Sequence, residues 1–103
     1  MQELSSDNLQ EVLNENKKVV VQYGAGWCGA CRMIKPQFKK LSEATDGVEF
    51  FYVDAEKFPG SRELAKVENL PTFAAFVDGK LIGQATGSKI DKVKELVSEV
   101  ASH

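Results

Sequence analysis

The sequence predicts an α/β fold in which a mixed central sheet carries helices on both faces. Two patterns carry that prediction. Val19 to Tyr23 is a continuous, β-branched run suited to a strand buried on both faces. A helical segment and a second strand follow it, making a βαβ unit with parallel strands. Further on, Thr72 to Val77 and Lys80 to Ala85 flank Asp78-Gly79, a strong hairpin pair, so antiparallel strands join the sheet.

In chain order, Leu9, Val12 and Leu13 share one face of a first helix, with Ser5, Ser6 or Asp7 as its cap. The strand Val19 to Tyr23 leads through a glycine-rich turn into a helix from about Cys28 to Ser42, which Pro36 should bend. Val48 to Val53 is the second strand. Pro59 and Gly60 open a short helix through Leu64 and Ala65. After the hairpin, Lys89 to Ala101 is an amphipathic helix with Ile90, Val93, Leu96, Val97 and Val100 on one side. The 103 residues show no repeat or linker and fit one domain, 1–103, large enough for a core without several covalent staples.

A net charge of -2 argues against nucleic acid or an anionic membrane as the main partner. No apolar run approaches the ~20 residues a membrane helix needs. Met1 to Lys18 is polar and amphipathic rather than a secretory leader, so a cytoplasmic location is expected, or a periplasmic or secreted one if a leader was removed.

The two cysteines stand together as Cys28-Gly29-Ala30-Cys31. A disulfide closing so short a loop constrains the unfolded chain little, which makes it a poor staple and a good reversible switch. Residues three apart on a helix lie on one face, so the two sulfurs meet. The exchange nucleophile is the thiolate. A helix start, with unpaired N–H groups and a partial positive charge, favours that anion at Cys28 over Cys31 one turn inward. Arg32, four residues on, adds a weaker, screened attraction. Cys28 is thus the expected attacking thiolate and Cys31 the resolving one. Zinc would need about four ligands, and the one histidine is His103 at the C-terminus, so no metal is expected. Gly24-Ala25-Gly26-Trp27-Cys28-Gly29 also fits GxGxxG. But only one βαβ unit precedes the hairpin, and Trp27 stands where a pyrophosphate would approach the backbone.

Trp27-Cys28-Gly29-Ala30-Cys31 resembles the active site of the thioredoxin family, and the resemblance covers nearly the whole chain. Pro36 matches its helix-bending proline, Asp54 the end of its next strand, Leu70-Pro71-Thr72 its cis-proline loop and Thr86-Gly87-Ser88 its later glycine loop. The resemblance implies a thioredoxin-like fold and a protein-disulfide reductase, monomeric and without a bound cofactor. Electrons would come from a thioredoxin reductase and go to proteins with exposed disulfides. It implies that Pro71 is cis and stands against the disulfide. The Leu70 backbone would pair with an extended substrate, and Trp27, Gly29, Ala30, Gly87 and Ser88 would complete the apolar surface around them.

The chain departs from the family at five positions. Ala30 stands where proline is usual, at a spacer that tunes the potential. Gln22 stands where the family buries an aspartate beneath the cysteines, and Phe50 where a lysine often partners it. Glutamine is no base, so Cys31 would lose its proton to water or to the departing thiolate. Gly24 and Gly26 replace bulkier residues, which should loosen the loop or open room near the site. The Ala30 and Gln22 changes keep open a thioredoxin-like oxidase or isomerase of an oxidising compartment; a reading from a different class is a redox-regulated binding module, whose Cys28–Cys31 state gates a partner.

Overall fold

A computed structural model describes residues 1–103. In chain order the elements are β1 (Gln2–Glu3), α1 (Leu9–Glu15), β2 (Lys18–Gly24), α2 (Gly29–Glu43), β3 (Glu49–Asp54), α3 (Pro59–Arg62), β4 (Thr72–Val77), β5 (Lys80–Thr86) and α4 (Ile90–Ala101). The sheet order is β1-β3-β2-β4-β5, with β2 parallel to β3 and antiparallel to β4.

Alternation along β2 feeds two cores. Val19, Val21 and Tyr23 join Leu9 and Leu13 of α1 on one face. Val20 joins Ile34 and Phe38 of α2 and Val93, Leu96 and Val97 of α4 on the other. Phe38 anchors this second core, its ring 5.1 Å from that of Phe50 and 5.2 Å from that of Phe73. Each such fully buried side chain contributes roughly 1.5–3 kcal/mol through removal of apolar surface from water. The β4–β5 turn has positive φ at both Asp78 and Gly79, the backbone that an Asp-Gly hairpin supplies.

Three local expectations need correction. First, the sheet has an additional edge strand, β1, parallel to β3; two residues leave no alternation to detect. Second, the N-cap of α1 is Asn8, not Ser5, Ser6 or Asp7. Asp7 instead caps the start of α3: its carboxylate accepts from Gly60 N at 2.9 Å, Ser61 N at 2.6 Å and Ser61 Oγ at 2.6 Å. Third, the short helix ends at Arg62, before Leu64 and Ala65. The Arg62 guanidinium reaches Val67 O, at 3.0 Å from Nη2, and ties down the irregular segment that follows.

Candidate redox site

The end of β2 and the start of α2 present the cysteines. Cys28 is the N-cap of α2, and its N–H donates to Ala25 O at 3.1 Å across the tight turn after β2. The Cys31 N–H, which lies too early in the helix to find an intrahelical carbonyl, donates to Cys28 Sγ at 3.1 Å. A disulfide joins Cys28 to Cys31. Cys31 is wholly buried, whereas Cys28 keeps 5% of its surface exposed.

Ala30 and Leu70 pack against a small cluster of Ala25, Cys28 and Cys31. The Leu70–Pro71 peptide bond is cis. The β2–β4 register sets Thr72 opposite Tyr23, which brings the buried Pro71 to the carboxyl end of β2. Gly87 N donates to Pro71 O at 2.9 Å, so the proline loop and the glycine loop are tied together. Gly87 has a φ of 104°, a conformation that favours glycine. Trp27 and Gly29 flank Cys28 and are exposed, as is Ser88.

Gln22 lies on the α2 side of β2, fully buried, and its Nε2 donates to Cys31 O at 3.1 Å. Phe50 is set opposite Val20 rather than Gln22 and belongs to the Phe38 core; the residue opposite Gln22 on β3 is Tyr52. Arg32 points its guanidinium back along the loop, Nη1 donating to Gly26 O at 3.0 Å. It therefore braces the turn that carries Trp27.

The expectation that Gly24 opens room is corrected. Tyr52 fills that space: a Cβ on Gly24 would collide with the Tyr52 hydroxyl oxygen and fall 2.9 Å from two ring carbons. Gly26, by contrast, has open space around it. Tyr52 is held by Lys35, whose Nζ stands 4.2 Å from the ring centroid and 3.0 Å from Glu3 Oε1. Burial, then the charges of Asp54 and Glu3, push the Tyr52 phenol above its ordinary pKa.

Sequence reasoning missed Tyr52 and also Met33. Met33 is 70% exposed and Trp27 67%, two large apolar side chains on or beside the first two turns of α2. The signal for Met33 was available: it falls on the polar side of the helix, opposite Cys31, Ile34 and Phe38. The largest surface hollow, about 550 Å³, lies between Met1 and α2, lined by Met1, Glu3, Arg32, Lys35, Pro36 and Lys39 rather than by the cysteines.

Comparison with known proteins agrees with this geometry. The family model described as Thioredoxin matches residues 1–101. Human thioredoxin is 36% identical over 98 residues, covering 93% of each chain. Among solved structures, reduced Schistosoma mansoni thioredoxin pre-protein superposes with a TM-score of 0.86 at 37% identity, covering 96% of each chain. Fasciola hepatica thioredoxin gives a TM-score of 0.89 at 32% identity over 97% of this chain and 99% of its own.

Proposed function

The chain belongs to the thioredoxin family, and from that premise we propose a division of labour in which Cys28 attacks substrate disulfides and Cys31 resolves the mixed disulfide. The protein is a thiol–disulfide oxidoreductase whose Cys28–Cys31 pair is the redox couple. The Cys28 thiolate attacks one sulfur of a substrate disulfide. That S–S bond breaks and a Cys28–substrate bond forms. Cys31, losing its proton, attacks Cys28 Sγ and releases the second substrate thiol. The substrate gains two electrons and the protein becomes the disulfide. A reductase then returns two electrons; for this chain we assign that role to a thioredoxin reductase.

The observation that carries the assignment is the hydrogen bond from Cys31 N–H to Cys28 Sγ, together with the burial of Cys31. A backbone donor at a helix N-terminus stabilises a thiolate on Cys28. Substrate sulfur can approach only the cysteine that reaches the surface. Leu70 and Ala30, packed on the pair, together with Trp27, Gly29, Pro71, Gly87 and Ser88, form the proposed docking surface, and the Leu70 backbone offers strand-like pairing. Gln22 and Arg32 tune the pair from beneath and from the loop. The reading takes the protein as a monomer of the cytoplasm.

The test is insulin disulfide reduction with a regenerating dithiol. Cys28→Ser is expected to abolish turnover. Cys31→Ser is expected to accumulate a mixed disulfide, visible by mass spectrometry. Trapping by Cys28→Ser instead would reverse the roles.

A further inference from the structure

Gln22 is buried without exposure, yet only one end of its carboxamide is paired. Nε2 donates to Cys31 O at 3.1 Å, while Oε1 is sealed from solvent with no hydrogen-bond partner. The other such orphan, Asn8 Oδ1, lies at the N-cap of α1, away from the cysteines. A buried unmet acceptor is destabilising, and structures of this kind normally satisfy it. The residues opposite Gln22 on the adjoining strands are Tyr52 and Phe73; Phe73 offers no donor, and the Tyr52 hydroxyl is lodged against Gly24.

The disulfide itself suggests what is missing. In the bonded pair Cys31 carries no proton. Reduction by a dithiol or by two glutathione molecules breaks the Cys28–Cys31 bond, forms one S–S bond in the reductant and leaves the reductant's protons on the two cysteines. The new S–H of Cys31 appears within the same buried layer, on the residue whose carbonyl already holds the Gln22 amide. We propose that Gln22 Oε1 is an acceptor reserved for the Cys31 S–H of the reduced protein, so that Gln22 biases the pair toward the dithiol. The proposal rests on the reading of Cys28 and Cys31 as the redox couple. It goes beyond that reading by giving Gln22 a direction of effect: an acceptor idle in the disulfide and occupied in the dithiol makes the protein easier to reduce. The bond from Nε2 to the Cys31 carbonyl does not depend on the sulfur's state, so it cancels from the redox balance.

Equilibration with glutathione at neutral pH tests the direction. Gln22→Leu, which removes both ends of the amide, is expected to move the equilibrium about tenfold toward the disulfide, or ~30 mV to lower potential for a two-electron couple. Gln22→Met, longer and more flexible, serves the same purpose if the leucine variant fails to fold. A second readout is the S–H stretching band of the Cys28→Ser protein, whose one thiol is Cys31. The band is expected at the lower frequency of a hydrogen-bonded thiol, and to rise when Gln22→Leu is added. An unmoved equilibrium, a shift toward the dithiol, or a free-thiol band in the Cys28→Ser protein would each overturn the proposal. Failure of the unaltered pair to exchange with glutathione at all would overturn the redox reading first, and this proposal with it.

Discussion

Gln22 and Tyr23 are adjacent in sequence and both wholly buried, and the pleat of β2 sends them to opposite faces. On the face of Tyr23 the polar groups around Ser61 form a closed set, and the one unpaired buried oxygen there, Asn8 Oδ1, lies off it at the N-cap of α1. Tyr23 Oη donates to Ser61 O at 2.8 Å, the Ser61 hydroxyl donates to Asp7, and Leu9 N donates to that same hydroxyl oxygen at 3.1 Å. On the face of Gln22 the set is left open at Oε1. A polar group whose neighbours never change can be satisfied once, and it then serves stability. A group beside a bond that forms and breaks cannot be matched equally well in both states, and the mismatch is available to bias the chemistry.

This contrast predicts how substitutions on the two faces differ. The largest stability effect is expected at Gly24→Ala, on the Gln22 face. Its Cβ meets the Tyr52 ring that Lys35 covers, and overpacking of this kind costs ~1–3 kcal/mol. Chemical denaturation of Gly24→Ala with and without Tyr52→Ala checks it: the truncation should recover most of the loss, and no recovery would place the strain elsewhere. On the other face, Ser61→Ala removes a hydroxyl that both donates and accepts, and should cost about 1–2 kcal/mol. The glutathione equilibrium of the cysteines should stay put in that variant; a shift would break the separation of the two faces.

The smallest effect belongs to Asp7→Asn and depends on pH. The Ser61 hydroxyl and then the Gly60 N–H lower the Asp7 pKa from its ordinary 3.8, with burial opposing and the Ser61 N–H adding. A carboxyl whose folded-state pKa is depressed stabilises the fold above the ordinary value and loses that contribution as pH falls through the lowered one. The melting temperature of Asp7→Asn should therefore trail at neutral pH and converge on the parent in acid below 3.8. A gap that persists unchanged in acid would mean that the carboxylate's charge is not the source.

What the sequence made legible follows from the range of the interactions. The β2 run, the Asp78-Gly79 turn and the amphipathic α4 are set by residues within a few positions of one another, and each lies close to where its pattern places it. The cysteine pair is local in the same sense. Asp7 was misread as a cap for its own helix because its partners, Gly60 and Ser61, are more than fifty residues away. Gly24 was misread for a similar reason: its space is occupied by Tyr52, brought there by the β2–β3 register rather than by anything nearby in the chain. The identity of Gln22 pointed to a change in chemistry, but pairing at one end of its amide alone emerges only when α2 is laid over β2.

The strand order also bears on how the chain is made. β2 lies between β3 and β4, and both are synthesised after it. A nascent chain that has emerged as far as Asp54 can pair one edge of β2, while the other edge of the same Val19–Val20–Val21 run waits for Thr72 to Val77. During that interval an apolar, β-branched edge is open to strands of neighbouring nascent chains. The exposure lasts until residues 72–77 have also left the ribosome. A chain cut short before Thr72 lacks the strand that covers this edge, and is expected to adhere to other chains rather than fold into a smaller protein.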